Sequence, residues 1–302
     1  MSNNFKNIYI AGSGGMLGQA FYEIFSDRFN LKCSDKSVNE KWISKLDFNE
    51  SDKYEKDVIS FNSDLLIHLG AITDLEECEL NPKQTYITNL NSVEKAVSIS
   101  NKLNIPIVFI STAGIFDGKQ DTYDEDDLPN PISHYGKSKF MAEKYIEKFS
   151  KDYLICRAGW MMGGGIKKDK KFVKKIISQL IGGKKELFIV NDKNGTPTYT
   201  FDFASQVLLL LDNKIRGKFN IVCEGLSSRI DVAYEILKFF NYENTINIRQ
   251  VNSNYFKKTY HANRPVSERL INKKLNKLSM NIMRNWKICL HEYLSKDFDN
   301  IF

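Results

Sequence analysis

Short unbroken apolar runs alternate with amphipathic stretches through the first half of the chain. The runs fall at Asn7–Ala11, Leu31–Cys33, Leu65–Leu69, Pro106–Ser111 and Tyr153–Ala158. Their lack of polar alternation predicts strands buried on both faces. Between them, apolar residues recur at helical spacing over Met16–Phe25, Asp52–Asn62, Pro82–Leu103 and Lys137–Phe149. Strands separated by helices predict an α/β fold, a doubly wound parallel sheet with helices on both faces. Ligands of such sheets bind outside the carboxyl ends of the strands. Ser111 and Thr112, which end the run IPIVFIST, are therefore placed for chemistry.

The pattern changes after Trp160. The stretch MMGGGIKKDKKFVKK is glycine-rich and then lysine-rich, and reads as a crossing into a second region. FDFASQVLLLL and KFNIV read as a helix and a strand that return to the first sheet, and DVAYEILKFF as a further amphipathic helix. The expected division is a sheet domain over residues 1–160 and a smaller, interleaved α/β substrate domain over 161–302, with segments near 190–225 returning to the first.

Composition narrows the class. The 302 residues are 42% hydrophobic and 26% charged, enough to bury a substantial core. No apolar run approaches the ~20 residues of a membrane helix, and a strand pattern begins almost at the N-terminus, so a cytoplasmic protein is expected. Five scattered cysteines without CxxC spacing predict buried thiols rather than disulfides, and four histidines without HxxxH or HExxH spacing predict no histidine-based metal site. The net charge of +6 suits an anionic small molecule. No nucleic-acid-binding signature accompanies it, and neither nucleic acid nor membrane is an expected partner.

The first strand–helix junction reads YIAGSGGMLGQAF. Gly12, Gly15 and Gly18 stand at GxxGxxG spacing, with Met16 and Leu17 in the turn. Glycines there let the backbone approach a pyrophosphate and aim amide N–H groups at it, and at the first strand–helix junction of this alternation they point to a Rossmann-type, dinucleotide-binding sheet. Asp35 ends the second strand, where a carboxylate accepts from ribose hydroxyls and repels a 2′-phosphate. It favours NADH over NADPH, while Lys36 beside it acts the other way. Asp47, after the third strand, faces the adenine or else caps a helix.

HYGKSKF carries Tyr135 and Lys139 four residues apart, on one face of a helix. A free phenol titrates near ~10. A nearby ammonium stabilises the phenolate, and the tyrosine can then exchange a proton with a carbonyl oxygen as hydride moves. A hydroxyl from Ser111 or Thr112 would orient the same oxygen.

On Gly12, Gly15, Gly18, Thr112, Tyr135 and Lys139, in that order, the chain resembles the extended short-chain dehydrogenase/reductase family. Within it, the chain is most similar to the nucleotide-sugar 4-ketoreductases, the dTDP-4-dehydrorhamnose reductases. STAGIFDG resembles their STDYVFDG, RAGWMMG their RTSWVYG, NDKNGTPTYTFDFA their NDQxGxPTxxxDLA and NRPVSERLINKKL their SRPxNSRLxxxKL. HLGAITDLEECELNP falls where they carry NAAAxTxVDxAExxP.

The resemblance implies NAD(P)H-dependent reduction of a 4-keto-6-deoxy sugar carried on a nucleoside diphosphate, in deoxysugar and surface-polysaccharide synthesis. Thr112, Tyr135 and Lys139 would be catalytic. Leu69, Gly70, Ala71 and Asn89 would join the cofactor site. Thr73, Ala113, Trp160 and Arg264 would meet the substrate, Arg264 at its diphosphate. A homodimer is compatible with the family.

Two departures stand out. Ala113 and Gly114 replace the family's aspartate and tyrosine, and the lysines from Lys167 to Lys175 lengthen a loop that reads as a solvated basic helix end or, alternatively, as a guide for an anionic nucleotide. The acidic DTYDEDDLPNP reads as a solvated lid. Dehydration, which needs an acid and a base after the catalytic threonine, is disfavoured by Ala113 and Gly114. An epimerase and a non-catalytic nucleotide-binding regulatory subunit remain as rivals, the latter opposed by the intact Thr–Tyr–Lys set.

Overall fold

A computed structural model describes residues 5–299. In the first half the apolar runs form strands, most of them with shifted ends: β1 (Asn7–Ala11), β2 (Asn30–Asp35), β3 (Ile43–Lys45), β4 (Leu65–His68), β5 (Ile107–Thr112) and β6 (Tyr153–Ala158). The helices between them are α1 (Met16–Phe25), α2 (Ser51–Ser60), α3 (Leu75–Leu80), α4 (Pro82–Tyr86), α5 (Ser92–Leu103) and α6 (His134–Phe149). Helix α6 starts three residues before its expected Lys137. Ser133 caps it, its hydroxyl accepting from the Gly136 amide at 3.1 Å.

The single helix expected over Pro82–Leu103 is a correction. It is interrupted by a π-helical turn over Ile87–Asn91. The wide turn carries Asn89, whose amide bonds both backbone groups of Ile72 and the hydroxyl of Ser138. π turns of this kind recur where a side chain must be aimed.

The second half supplies β7 (Trp160–Met162), α7 (Gly165–Lys168), α8 (Phe172–Ile181), β8 (Glu186–Val190), β9 (Asn194–Gly195), β10 (Pro197–Tyr199), α9 (Thr200–Asp212) and β11 (Gly217–Asn220). Then follow β12 (Ser227–Ser228), α10 (Arg229–Phe239), β13 (Asn247–Val251), β14 (Ser267–Glu268), α11 (Lys273–Lys277) and α12 (Trp286–Phe298). Strand β11 rejoins the first sheet, whose seven strands run in the order β11-β6-β5-β4-β1-β2-β3, every pair parallel. The short strands pair in three small sheets: β7 with β10, β8 with β13, and β9 between β12 and β14.

Alternation along β1 shows why its run is wholly apolar. Ile8 and Ile10 join a cluster that continues through Phe21 and Phe203 into the second half, while Tyr9 and Ala11 join Tyr54, Val93 and Phe109 on the opposite face. Each large side chain buried this way contributes about 1.5–3 kcal/mol relative to exposure. Strand order reverses about β1, with β2 on one side and β4 on the other. The loops after β1 and β4 therefore diverge to opposite faces and open the crevice in which such sheets hold ligands. Among the described residues no helix is long and apolar enough to cross a membrane, and all five cysteines are buried.

Candidate active site

The crevice floor is built by close backbone contact. Gly12 has φ +81°, and a Cβ there would stand 2.3 Å from the Gly70 amide nitrogen in the loop after β4. A Cβ on Gly70 would in turn meet the Phe48 ring at 2.2 Å. Gly18 lies one turn into α1, where a Cβ would fall 1.8 Å from the Ser13 carbonyl oxygen. It seats the helix on the loop and does not line the crevice, which corrects its expected place at the cofactor. Gly15 precedes α1 with no side chain capping the helix, so the first amides of α1 face the opening.

Gly14, absent from the spacing argument, is the tight partner of Asp35. The Asp35 carboxylate accepts from the Gly14 amide at 3.0 Å and from the Ser37 amide at 2.8 Å. It shapes the loop while lining the same crevice as Lys36. Asp47 does not line it. Its carboxylate accepts from the Asn49 amide at 2.9 Å, a turn that hands the position to Phe48 and Asn49. Asn49 Oδ1 is buried there without a hydrogen-bond partner, as is Ser111 Oγ. A glycine cradle, a free helix N-terminus and unpartnered polar atoms in one crevice fit a dinucleotide. The cavity of about 380 Å³ is of the size that holds small molecules.

At its centre, β5 delivers Thr112 and α6 delivers Tyr135 and Lys139. Thr112 Oγ1 accepts from the Gly114 amide at 3.1 Å. The same hydroxyl hydrogen-bonds the Tyr135 phenol, so backbone, threonine and tyrosine form one chain of contacts at the crevice centre. Burial pushes the Tyr135 phenol up to about 12, and the Thr112 hydroxyl opposes that rise, while the charge of Glu268 adds to it. Burial also pulls the Lys139 ammonium down to about 7, opposed by Glu143 one turn along α6. Its Nζ lies 4.0 Å from the centre of the Phe109 ring. The groups that shift Tyr135 are thus burial, Thr112, Cys78 and Glu268, where the spacing argument looked to Lys139.

Asn89 does not reach the crevice. It is fully buried, and its bonds to Ile72 fix the loop that leads to Thr73. Ala113 is also corrected. The 3₁₀ turn Ala113–Ile115, capped by Thr112, turns its methyl into an apolar cluster with Phe116 and Tyr123, away from the crevice.

The outer wall comes from the second half. Trp160 donates its indole N–H to Glu268 at 2.8 Å, and the Arg229 guanidinium lies 3.6 Å from the centre of its ring. Arg264 also lines the crevice, tied to Glu76 of α3. Lys171 reaches across to Thr73, donating to its carbonyl at 2.9 Å and its hydroxyl at 3.2 Å. That corrects the reading of the lysine stretch as wholly solvated.

The crevice therefore gathers Gly12, Gly15, Met16, Leu17, Asp35, Leu69, Gly70, Ala71, Thr73, Thr112, Tyr135, Lys139, Trp160 and Arg264. Sequence reasoning missed Gly14, Asn49, Arg229 and Glu268. The only local signal for Glu268 was its place four residues after Arg264 in NRPVSERL.

Known proteins resemble the chain along nearly its whole length. A dTDP-4-dehydrorhamnose reductase of Aggregatibacter actinomycetemcomitans is 29% identical over 217 residues, covering 70% of this chain and 69% of that one. The spore coat polysaccharide biosynthesis protein SpsK of Bacillus subtilis is 27% identical over 300 residues, covering 96% and 97%. The crystal structure of a dTDP-4-dehydrorhamnose reductase from Clostridium acetobutylicum superposes with a TM-score of 0.86 at 28% identity, covering 96% of this chain and 99% of that one. Residues 6–298 match the family described as RmlD substrate binding domain, and with the crevice built as above the chain belongs to that family.

Proposed function

We propose that this protein is an NAD(P)H-dependent oxidoreductase that reduces the 4-keto group of a nucleoside-diphosphate 4-keto-6-deoxy sugar, in the synthesis of a deoxysugar for polysaccharide. The observation that carries the reading is the Tyr135 phenol. It is held protonated by burial, beside the Thr112 hydroxyl, in one crevice with the glycine cradle. Relatives named as dTDP-4-dehydrorhamnose reductases support the substrate class.

When bound, the reduced nicotinamide supplies a hydride. Gly12, Gly15 and the first amides of α1 would hold its pyrophosphate, and Asp35 at the end of β2 would take the adenosine ribose and favour NADH. The Thr112 hydroxyl orients the sugar's carbonyl oxygen. Tyr135 gives its proton to that oxygen as negative charge builds there. Lys139, one turn along α6 from Tyr135, would hold the nicotinamide ribose. Trp160 forms a flat wall for the sugar, and the Arg229, Arg264 and Lys171 side of the crevice suits the diphosphate.

Epimerisation is a second reading, because a carboxylate from Glu268 stands beside Gly114 at the edge where Ala113 and Gly114 supply none. Cofactor stoichiometry separates the two. Purified protein is mixed with NADH or NADPH and a panel of 4-keto-6-deoxy nucleotide sugars. Reduction consumes one cofactor per sugar, whereas sugar conversion without net cofactor oxidation rejects the reductase reading.

A further inference from the structure

Glu268 has no part in the proton and hydride transfer described above, yet its side chain is fixed with care. It ends β14, paired in register with Gly195 of β9. A Cβ on Gly195 would lie 2.1 Å from the Trp160 ring, so the missing side chain lets that ring settle against the strand. The seated indole then donates to Glu268 Oε2 at 2.8 Å, under the Arg229 guanidinium. A carboxylate clamped through one oxygen does not sweep through solvent. It presents the other oxygen in a set direction.

That second oxygen, Oε1, faces the reacting edge. A Cβ built on Gly114 would stand 3.6 Å from Glu268 Oε1 and 3.5 Å from Thr112 Oγ1. The carboxylate and the threonine hydroxyl therefore flank one open point, which exists because residue 114 has no side chain. Among the described residues no donor hydrogen-bonds Oε1. A carboxylate oxygen accepts, and a ligand that displaces water from this point can bring the donor that the protein does not. Arg229, Arg264 and Lys171 line the same crevice, and their positive charge opposes an ammonium. A neutral hydroxyl is the donor that fits.

We propose that Glu268 is a specificity residue whose Oε1 accepts a hydrogen bond from a sugar hydroxyl on the carbon next to the carbonyl being reduced. The inference rests on the reductase reading for which carbonyl is meant. It assigns the substrate class more narrowly: a keto sugar nucleotide with a free vicinal hydroxyl, in preference to one deoxygenated there.

The test uses the full chain, saturated with oxidised cofactor so that no turnover intervenes. Calorimetry compares a 4-keto-6-deoxy nucleotide sugar bearing the vicinal hydroxyl with its analogue lacking it, and with the nucleoside diphosphate alone. Wild type is expected to favour the hydroxylated sugar by about 10- to 100-fold, the range for a substrate hydroxyl read by a buried acceptor. Glu268→Ala is expected to bring the ratio to about one by weakening only the hydroxylated sugar. Glu268→Gln, which keeps the shape and an acceptor, should fall between. A ratio unchanged in Glu268→Ala overturns the proposal. So does an equal loss on both sugars, which reports a prop for Trp160, or a failure of wild type to bind either sugar. An amino analogue binding tighter than the hydroxylated sugar overturns the choice of hydroxyl. If the binding preference is present but companion assays with reduced cofactor show no oxidation, the reductase reading fails and the Glu268 assignment stands.

Discussion

Tyr135 and Lys139 sit one turn apart on α6, and burial moves them in opposite senses. The phenol rises to about 12 and the ammonium falls to about 7. At neutral pH the tyrosine is therefore protonated, the state an acid catalyst of reduction needs. Tyr135→Phe should keep cofactor affinity, read by fluorescence titration, and lose turnover by about 10²- to 10⁴-fold, the usual worth of a positioned acid. Lys139 carries a stability prediction with a definite sign. Between pH 7 and 10.5 the folded lysine has shed its proton while the unfolded one keeps it, so this group makes stability rise with pH across that window. Below pH 7 the full cost of a charged buried lysine is present. Lys139→Met should therefore melt higher than wild type at pH 6 without cofactor, with the gap closing as pH approaches 10.5, and should lose turnover. An unchanged or reversed gap in scanning calorimetry would refute the burial account. The spacing of Tyr135 and Lys139 was legible because a helix turn is a local property. The facing of Asp47 and Ala113 was not, since an Asx turn and a 3₁₀ turn decide it, and neither leaves a mark in hydrophobic periodicity.

Elements carry the site through a few tied joints. Arg157 of β6 and Glu143 of α6 form a fully buried pair, with bonds of 2.9 and 2.7 Å that lock α6 to the sheet. Removing one partner leaves the other charge buried and alone. Glu143→Ala should cost about 3–5 kcal/mol, measured as a lower urea midpoint at constant slope. A cost below about 1 kcal/mol would mean that water or a neighbour takes over Arg157. Among elements, the long apolar strands and α1 were readable from pattern alone, because burial on both faces demands unbroken runs. The π turn was not, because it answers to Ile72 and Ser138 across the fold. The two-residue strands β9, β12 and β14 were equally hidden, since their pairing is set by tertiary contact and their length is too short for any period.

For the whole molecule, the sheet brings two distant sets of residues to one crevice. The cradle and the Thr112–Tyr135–Lys139 group come from the first half, in an order that spacing and topology rules anticipate. The outer wall of Trp160, Arg229, Arg264 and Glu268 comes from three separate segments of the second half. Trp160 and Arg264 were reached through family resemblance. Arg229 and Glu268 leave no mark in the sequence, because charge in a surface-like segment gives no sign of which crevice it will line. On the proposed reading, this crevice delivers hydride to a sugar carbonyl while Tyr135 delivers the proton. The most direct test is reduction with cofactor deuterated at the transferable position, with the product read by NMR and mass spectrometry. One deuterium on the new carbinol carbon per cofactor oxidised is the predicted result. A converted sugar that carries no deuterium there, with the cofactor unconsumed, would contradict it.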